Sequence, residues 1–364
     1  MGKHRETIVV LLKELGTEES DFQGLMVKDT ETGEYSFTQL VDQDGNGVVD
    51  ALIFQASVPP LSEKKYELIK VKNTSISPDT LVAAFSRFVP ERIDDYAWEN
   101  DRVAFRTYGP EAERLAKEKL PGGTLSSGID CWLKKVSYPV INKWYKLGEE
   151  GISYHTDHGE GLDNYHVGSS RGCGGIGIRK GDNLYVSDNF TAYKTMETGP
   201  LRTVFELEYA PWKAGKMMVK EKKRISLDLG SNLSKIEVQF APPYPEEIVA
   251  GLAIPGKEGK GGVVSVDEKT GWFSFWSEHY DSELGIGIVV DPKYVSGYTE
   301  YRVPKVEKSH VFVHLRLING KVIYYTGFGW KKNSRFSTRK VWEEYLREFA
   351  LVLSFPAEIK ISNP

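Results

Sequence analysis

The sequence predicts an all-β protein, a large antiparallel β-sandwich with a few short helices. Three observations carry this expectation. Runs that alternate apolar and polar residues recur along most of the chain. Helix-forming stretches are few, and no strand–helix–strand rhythm links the β runs. No internal period recurs, which excludes a repeat array. The 364 residues are read as one domain, with 1–90 supplying N-terminal strands and hairpins and 91–364 the sandwich and its active-site loop.

Taken in order, Glu34–Thr38 and Ala51–Gln55 are the clearest early strands, and Lys65–Val71 alternates. Between the first two stands Asp42-Gln43-Asp44-Gly45-Asn46-Gly47-Val48-Val49-Asp50. It begins like a calcium-binding EF-hand loop, but Ile53 occupies the position where a bidentate acid is expected. A tight turn built on Asp, Asn and Gly is the simpler reading. The alternation from Asp101 to Thr107 predicts a strand with Arg102, Ala104 and Arg106 on one face. Two arginines on one face need water, a carboxylate or an anionic ligand. Residues 111–120 form a helix that Pro121-Gly122-Gly123 ends, and Tyr138–Tyr145 predicts a short aromatic helix.

Beyond residue 200 the β pattern dominates. Leu201–Tyr209, Arg224–Leu229, Lys235–Phe240, Trp272–Trp276, Gly285–Val290, His310–Leu317 and Lys321–Tyr325 read as strands. His314 is read as a satisfied sheet histidine. An amphipathic helix over 338–349 and a strand over 350–361 close the chain.

The densest chemistry lies in one loop. Residues 154–166 hold His155, His158 and His166, three of the chain's seven histidines, beside Asp157, Glu160, Asp163, Tyr154 and Tyr165. Gly159 and Gly161 interrupt any regular element there, so the stretch reads as a polar loop carried to a cleft. His155, His158, Tyr165 and Glu160 are the acid–base candidates. A tyrosine serves as a base only where a neighbouring cation lowers its pKa. Arg102, Arg106 and Arg171 are candidates to grip a carboxylate, Asn100 and Asp163 to hold hydroxyls, His166 to bind substrate or serve as acid or base, and Trp330 to stack on a sugar. A divalent metal on His155, Asp157 and His158 is the competing use of the loop, although no fixed ligand spacing demands one.

Composition excludes other classes. Net charge is −4 without a basic stripe, which argues against nucleic acid. Cys131 and Cys173 are read as two free or buried thiols. The apolar run Ile8–Leu12 is too short for a signal peptide, and no stretch approaches a membrane span. As written, the chain is expected in the cytoplasm, or in the periplasm or exported if a signal peptide has been removed. Gly168-Ser169-Ser170-Arg171-Gly172 is not a nucleophile elbow.

Four stretches together resemble the domain-of-unknown-function family 4861: Trp98–Arg106 with Tyr108-Gly109-Pro110, the loop His155–Tyr165, Gly199-Pro200-Leu201-Arg202, and Tyr324–Trp330. The resemblance covers nearly the whole chain. It implies a galactose-mutarotase-like supersandwich and a place in polysaccharide breakdown. It further implies a dehydratase that removes water from a terminal uronic acid of an oligosaccharide, leaving a 4,5-unsaturated end. Relatives of this kind are exported. A mutarotase-like sugar epimerase or isomerase and a non-catalytic carbohydrate-binding protein are the alternatives.

Overall fold

The computed structural model describes residues 6–15, 24–59, 61–70, 82–255, 261–305 and 307–362. Val71, the end of one expected strand, lies outside them. An eight-stranded sheet runs, edge to edge, through Phe190–Thr198, Arg202–Tyr209, Glu221–Asp228, Leu233–Phe240, Lys321–Trp330, Ser282–Val289, Trp272–His279 and Val263–Asp267. Every neighbouring pair in it is antiparallel. A five-stranded sheet runs Asn183–Tyr185, Cys173–Lys180, Ile248–Ala253, His310–Leu315 and Val295–Tyr301. A second five-stranded sheet is a meander of Phe85–Val89, Asp95–Glu99, Ala104–Thr107, Asp130–Lys134 and Gly161–Leu162.

One apolar core joins these three sheets. It draws Trp98 and Phe105 from the meander, Phe205, Ile236 and Phe328 from the eight-stranded sheet, and Ile176, Ala250 and Val313 from the other. The alternation explains why: Glu221–Asp228 buries every second residue, so one face of the strand is spent on the interior. The result is the expected all-β architecture, large antiparallel sheets packed face to face with a few short helices.

The N-terminal strands form two three-stranded sheets, Glu6–Leu11 with Ala51–Ala56 and Thr38–Val41, and Tyr35–Ser36 with Leu25–Asp29 and Tyr66–Lys70. They carry their own apolar cluster, including Ile8, Val10, Leu52 and Phe54. The side chain of Gln39 ties them to the main sheet, accepting from the N–H groups of Leu201 and Arg202. Phe85–Val89 falls before residue 90 yet pairs with Asp95–Glu99, so the meander begins earlier than the sequence division at 91.

Three expected strands differ. Glu34–Thr38 is broken at Phe37 into Tyr35–Ser36 and Thr38–Val41, which join different sheets. The Asp101–Thr107 strand begins only at Ala104, because Asn100 closes a turn there. Its Oδ1 accepts from the N–H of Arg102 and of Val103. At the C-terminus the helix spans Arg339–Ser354 and no strand follows to residue 362. Trp342, Leu346 and Ala350 continue one apolar stripe against the outer face of the eight-stranded sheet, and Pro356 ends the run. Gly285 and Gly287 let that helix approach: a Cβ on either would lie within 2.8 Å of Trp342 or Leu346. Among the described residues no helix is long and apolar enough to cross a membrane.

Candidate active site

The loop 151–172 leaves the helix Ile141–Glu149 and returns to the sheet at Cys173. Glu99 fixes that helix: its carboxylate accepts from the N–H of Val140 and Ile141 and pairs with buried Lys134 at 2.8 Å. The loop then adds Gly161–Leu162 to the edge of the meander, opposite Lys134 and Leu133. Only glycine fits at 161, where φ is +113° and a Cβ would stand 2.0 Å from the Leu133 carbonyl oxygen. This anchor sets Asp163, Asn164, Tyr165 and His166 along one wall of a cleft of about 1060 Å³. His155 joins that wall, Arg106 and Tyr108 lie beneath, and Tyr280 and Asp281 come from the opposite side.

His155 is held by its own loop. Its Nδ1 lies 2.6 Å from the Asp163 carbonyl oxygen and 3.5 Å from Asp163 Oδ2, while the side chain stays 58% exposed. Nδ1–H donates to the carbonyl, which leaves Nε2 for a ligand. The Asp163 carboxylate accepts from Arg106 Nη2 at 2.8 Å. The same nitrogen donates to Asp130 Oδ2 at 2.6 Å, and Nη1 stands 3.6 Å from Asp95 Oδ2. The Tyr108 hydroxyl donates to Asp130 at 3.3 Å, and that of Tyr145 to Asp95 at 3.3 Å. Burial pushes Asp95 up to about 7. Burial, with the charge of Asp163 next to it, pushes Asp130 up to about 7, and burial raises Asp163 as well.

Tyr165 turns its hydroxyl inward, where it is buried without a hydrogen-bond partner among the described residues. Burial pushes the phenol well above its usual range, so no neighbouring cation makes it a base; it stays a neutral donor. His279 Nε2 lies 2.9 Å from Asn164 Oδ1, and burial pulls His279 down to about 4. The neutral ring donates to that oxygen and leaves the Asn164 amide N–H groups for a ligand. At the rim, His166 Nε2 meets Glu307 Oε1 at 2.6 Å, and Glu307 also accepts from the N–H of Ser169.

The other expected site residues lie elsewhere. Glu160 is taken up by Lys143, Tyr138 and Trp144 Nε1, which clip the loop to the helix rather than to the cleft. His158 Nε2 rests on the Ser153 carbonyl at 3.2 Å. Asn100 is buried in its turn, donating to the carbonyls of Asp228 and Ser231. Arg102 stands in the same turn, 3.8 Å from Asp101. Arg171 points into the sandwich, where Nη1 donates to Ser127 Oγ at 3.0 Å and burial lowers its pKa to about 10. Trp330 is core, as are Trp98 and Trp144. His314 is a sheet histidine paired with Thr299 at 2.8 Å.

The expected metal ligands do not converge. Asp157 takes Lys135 and the N–H groups of Gly159 and Gly161, away from His155 and His158. Among the described residues the acids that do converge are Asp42, Asp44 and Asp50, with ligand oxygens within 4.8 Å of one another. This loop can coordinate a divalent cation, although Ile53 is buried in the following strand and supplies no ligand.

Sequence reasoning missed Asp95, Tyr108, Asp130, Asn164, His279, Tyr280, Asp281 and Glu307. A buried acid inside an otherwise apolar strand, as in Asp130-Cys131-Trp132-Leu133, was the available signal for one of them.

The fold and the cleft define a large antiparallel β-sandwich protein with acid–base groups gathered at one opening. The chain belongs to the DUF4861 family, a domain of unknown function whose model matches residues 1–359. It is 45% identical over 343 residues to Uncharacterized protein P7 of Formosa agariphila, covering 93% of this chain and 85% of that protein. Among solved structures it is similar to an alpha-mannosidase from Enterococcus faecalis V583, at 10% identity and a TM-score of 0.47, over 94% of this chain and 44% of that one. A GH36 alpha-galactosidase from Geobacillus stearothermophilus matches with a TM-score of 0.29 and 6% identity, over 67% of this chain and 40% of that one. The chain thus spans less than half the length of either glycosidase.

Proposed function

We propose that this protein is a carbohydrate-active enzyme that moves protons at a sugar held in the cleft. The observation that carries the reading is the His155–Asp163 pair: a tethered imidazole at the wall of an open polar cleft, backed by a buried carboxyl. His155 Nε2 is the base, and the acid is a group of the cleft other than Tyr165, whose hydroxyl is buried and turned inward.

Two reaction classes use these groups. The first is exchange at a sugar's anomeric centre or epimerisation at a ring carbon. It is favoured by the arginines: Arg102 and Arg171 lie outside the cleft, and Arg106 is already occupied by acids, so among the described residues that line the cleft no guanidinium fork awaits an anionic substrate. The second is loss of water from a terminal uronate, which the family resemblance implies. Asn164 favours it, because its oriented amide can donate hydrogen bonds to a carboxylate where no arginine is available. There the base takes the C5 proton, the C4–C5 double bond forms, and the acid protonates the departing 4-hydroxyl, which leaves as water.

Incubation with uronate-ended oligosaccharides and with neutral sugars separates the two. A new enol-ether absorbance with loss of one water by mass marks elimination; anomer exchange or epimer formation by NMR marks isomerisation. His155→Ala is expected to lower either turnover by about 10²–10⁴-fold. Stability should stay within about 0.5 kcal/mol, since the ring is largely exposed. A chain that turns over neither substrate class, or a His155→Ala variant of full activity, would sink the proposal.

A further inference from the structure

Behind the cleft wall, the acids outnumber the cations. Asp163 and Asp130 share one nitrogen of Arg106, and Asp95 approaches another. The second cation facing them is Arg92, whose charge acts on Asp95 and Asp163. Tyr108 and Tyr145 contribute hydroxyls, Tyr154 bonds to Arg92, and Cys131 and Tyr165 pack behind Asp130 without adding a cation. Three carboxyls therefore stand against two guanidiniums in a largely buried region that meets solvent only at the cleft, where an uncompensated charge is costly. The structure also shows where a proton would sit: Asp95 Oδ1 and Asp130 Oδ1 are buried with no hydrogen-bond partner among the described residues.

We propose that Asp95, Asp130 and Asp163 hold one exchangeable proton between them and offer it to the cleft at Asp163, the member that lines it, with Asp130 as a positioning residue. This rests on the cleft being the acid–base site, although the store itself exists without substrate. Burial raises all three acids, two of them to about 7, which agrees with the charge count. The proton balance closes. Asp163 gives its proton to a departing or exchanging sugar oxygen. His155 Nε2 takes a proton from the substrate, then releases it to the cleft solvent while Asp163 regains one, so both return to their starting states with Nδ1–H still on the Asp163 carbonyl. No oxidant or further reactant is needed.

Infrared spectroscopy of the full chain without substrate tests the store. The wild type is expected to show the C=O stretch of a buried protonated carboxylic acid that fades as pH rises through about 7. Asp130→Asn leaves two acids against two guanidiniums and is expected to lose that band at neutral pH. Asp228→Asn, which removes an acid paired one-to-one with Arg202, is expected to keep it. Should Asp130→Asn fail to fold by circular dichroism, Tyr108→Phe serves instead. It removes a hydrogen bond that favours ionised Asp130, and so moves the midpoint upward. A wild type without the band, a band unchanged in Asp130→Asn, or a midpoint unmoved in Tyr108→Phe overturns the proposal. A band that responds as expected in a protein with no turnover upholds the store and removes the enzymatic reading. Turnover whose pH profile is identical in wild type and a folded Asp130 variant removes the positioning role.

Discussion

Arg106 is buried and Arg202 half-buried; both stand on strands and both are bound to aspartate, yet they do opposite things to their acids. Arg202 makes a closed fork with Asp228, Nε to Oδ1 at 2.5 Å and Nη2 to Oδ2 at 2.8 Å. Burial alone would raise Asp228, but the guanidinium beside it holds the carboxyl below its usual range. Arg106 spreads itself over Asp130, Asp163 and Asp95, and those acids rise instead. The stoichiometry decides. One acid per arginine makes a permanent ion pair; a surplus of acids makes a group that titrates near neutrality. A titrating cluster fits a cleft wall, whereas a permanent pair fits the outer side of a sheet.

The largest effect should come from removing each arginine. Breaking a buried ion pair costs about 3–5 kcal/mol because the abandoned charge stays buried. Arg106→Ala abandons three acids and is expected at or beyond the top of that range; Arg202→Ala abandons one, with Asp228 partly exposed, and is expected near the bottom. Urea unfolding at about pH 8 compares them. If Arg202→Ala proves the more damaging, the stoichiometric argument is wrong.

The pH dependence gives a smaller, sharper contrast. Asp95 and Asp130 have folded values raised to about 7 from 3.8, so the folded chain keeps protons that the unfolded chain releases. Their contribution is complete below about pH 4 and is lost as pH rises through about 7. Asp228 is lowered, so its contribution is present above about pH 4 and is lost as pH falls through its folded value. Asp130→Asn is expected to flatten the slope of stability between about pH 4 and 7 while leaving the acid limb; Asp228→Asn should do the reverse. Two variants with the same profile would erase the distinction.

These contrasts also show what the sequence could reveal. Strands were legible because alternation survives in a half-buried β-strand, as in Glu221–Asp228. The end of the chain was not, because 350–361 is apolar without a clear period and the helix carries on to Ser354 through its Trp342–Leu346–Ala350 stripe. The cleft loop announced itself through its histidines and glycines, and His155, Tyr165, Asp163 and His166 do share one wall with Arg106 beneath. Arg171 was unreadable from its position alone. Gly172, at φ +56°, turns the chain there, and Gly251 on the neighbouring strand leaves room for the arginine stem to go inward. Asp95 and Asp130 meet across separate strands of the meander, and only the register, Ala97 opposite Arg106 and Arg106 opposite Asp130, brings them to one guanidinium.

The Asp42 loop offers a third arrangement, acids gathered mainly around backbone donors with Arg224 at their edge, and it carries the smallest expected effect. Asp42 is answered by backbone: its oxygens accept from the N–H groups of Gly45, Asn46 and Gly47. Burial would raise it, yet those donors, with the charge of Arg224, hold the carboxyl below its usual range. Asp42 is thus already ionised near neutrality, and a divalent cation would displace no proton from it. Added calcium is expected to stabilise the fold by about 1 kcal/mol at a few-fold excess over its dissociation constant, as a rise in thermal midpoint. The rise should be the same at about pH 6 and pH 8. Asp44→Ala should abolish it, and neither calcium nor chelator should alter turnover in the cleft. A calcium response that instead tracks the neutral-pH titration would tie this loop to the Arg106 acids, and the separation of a structural acid cluster from a titrating one would fail.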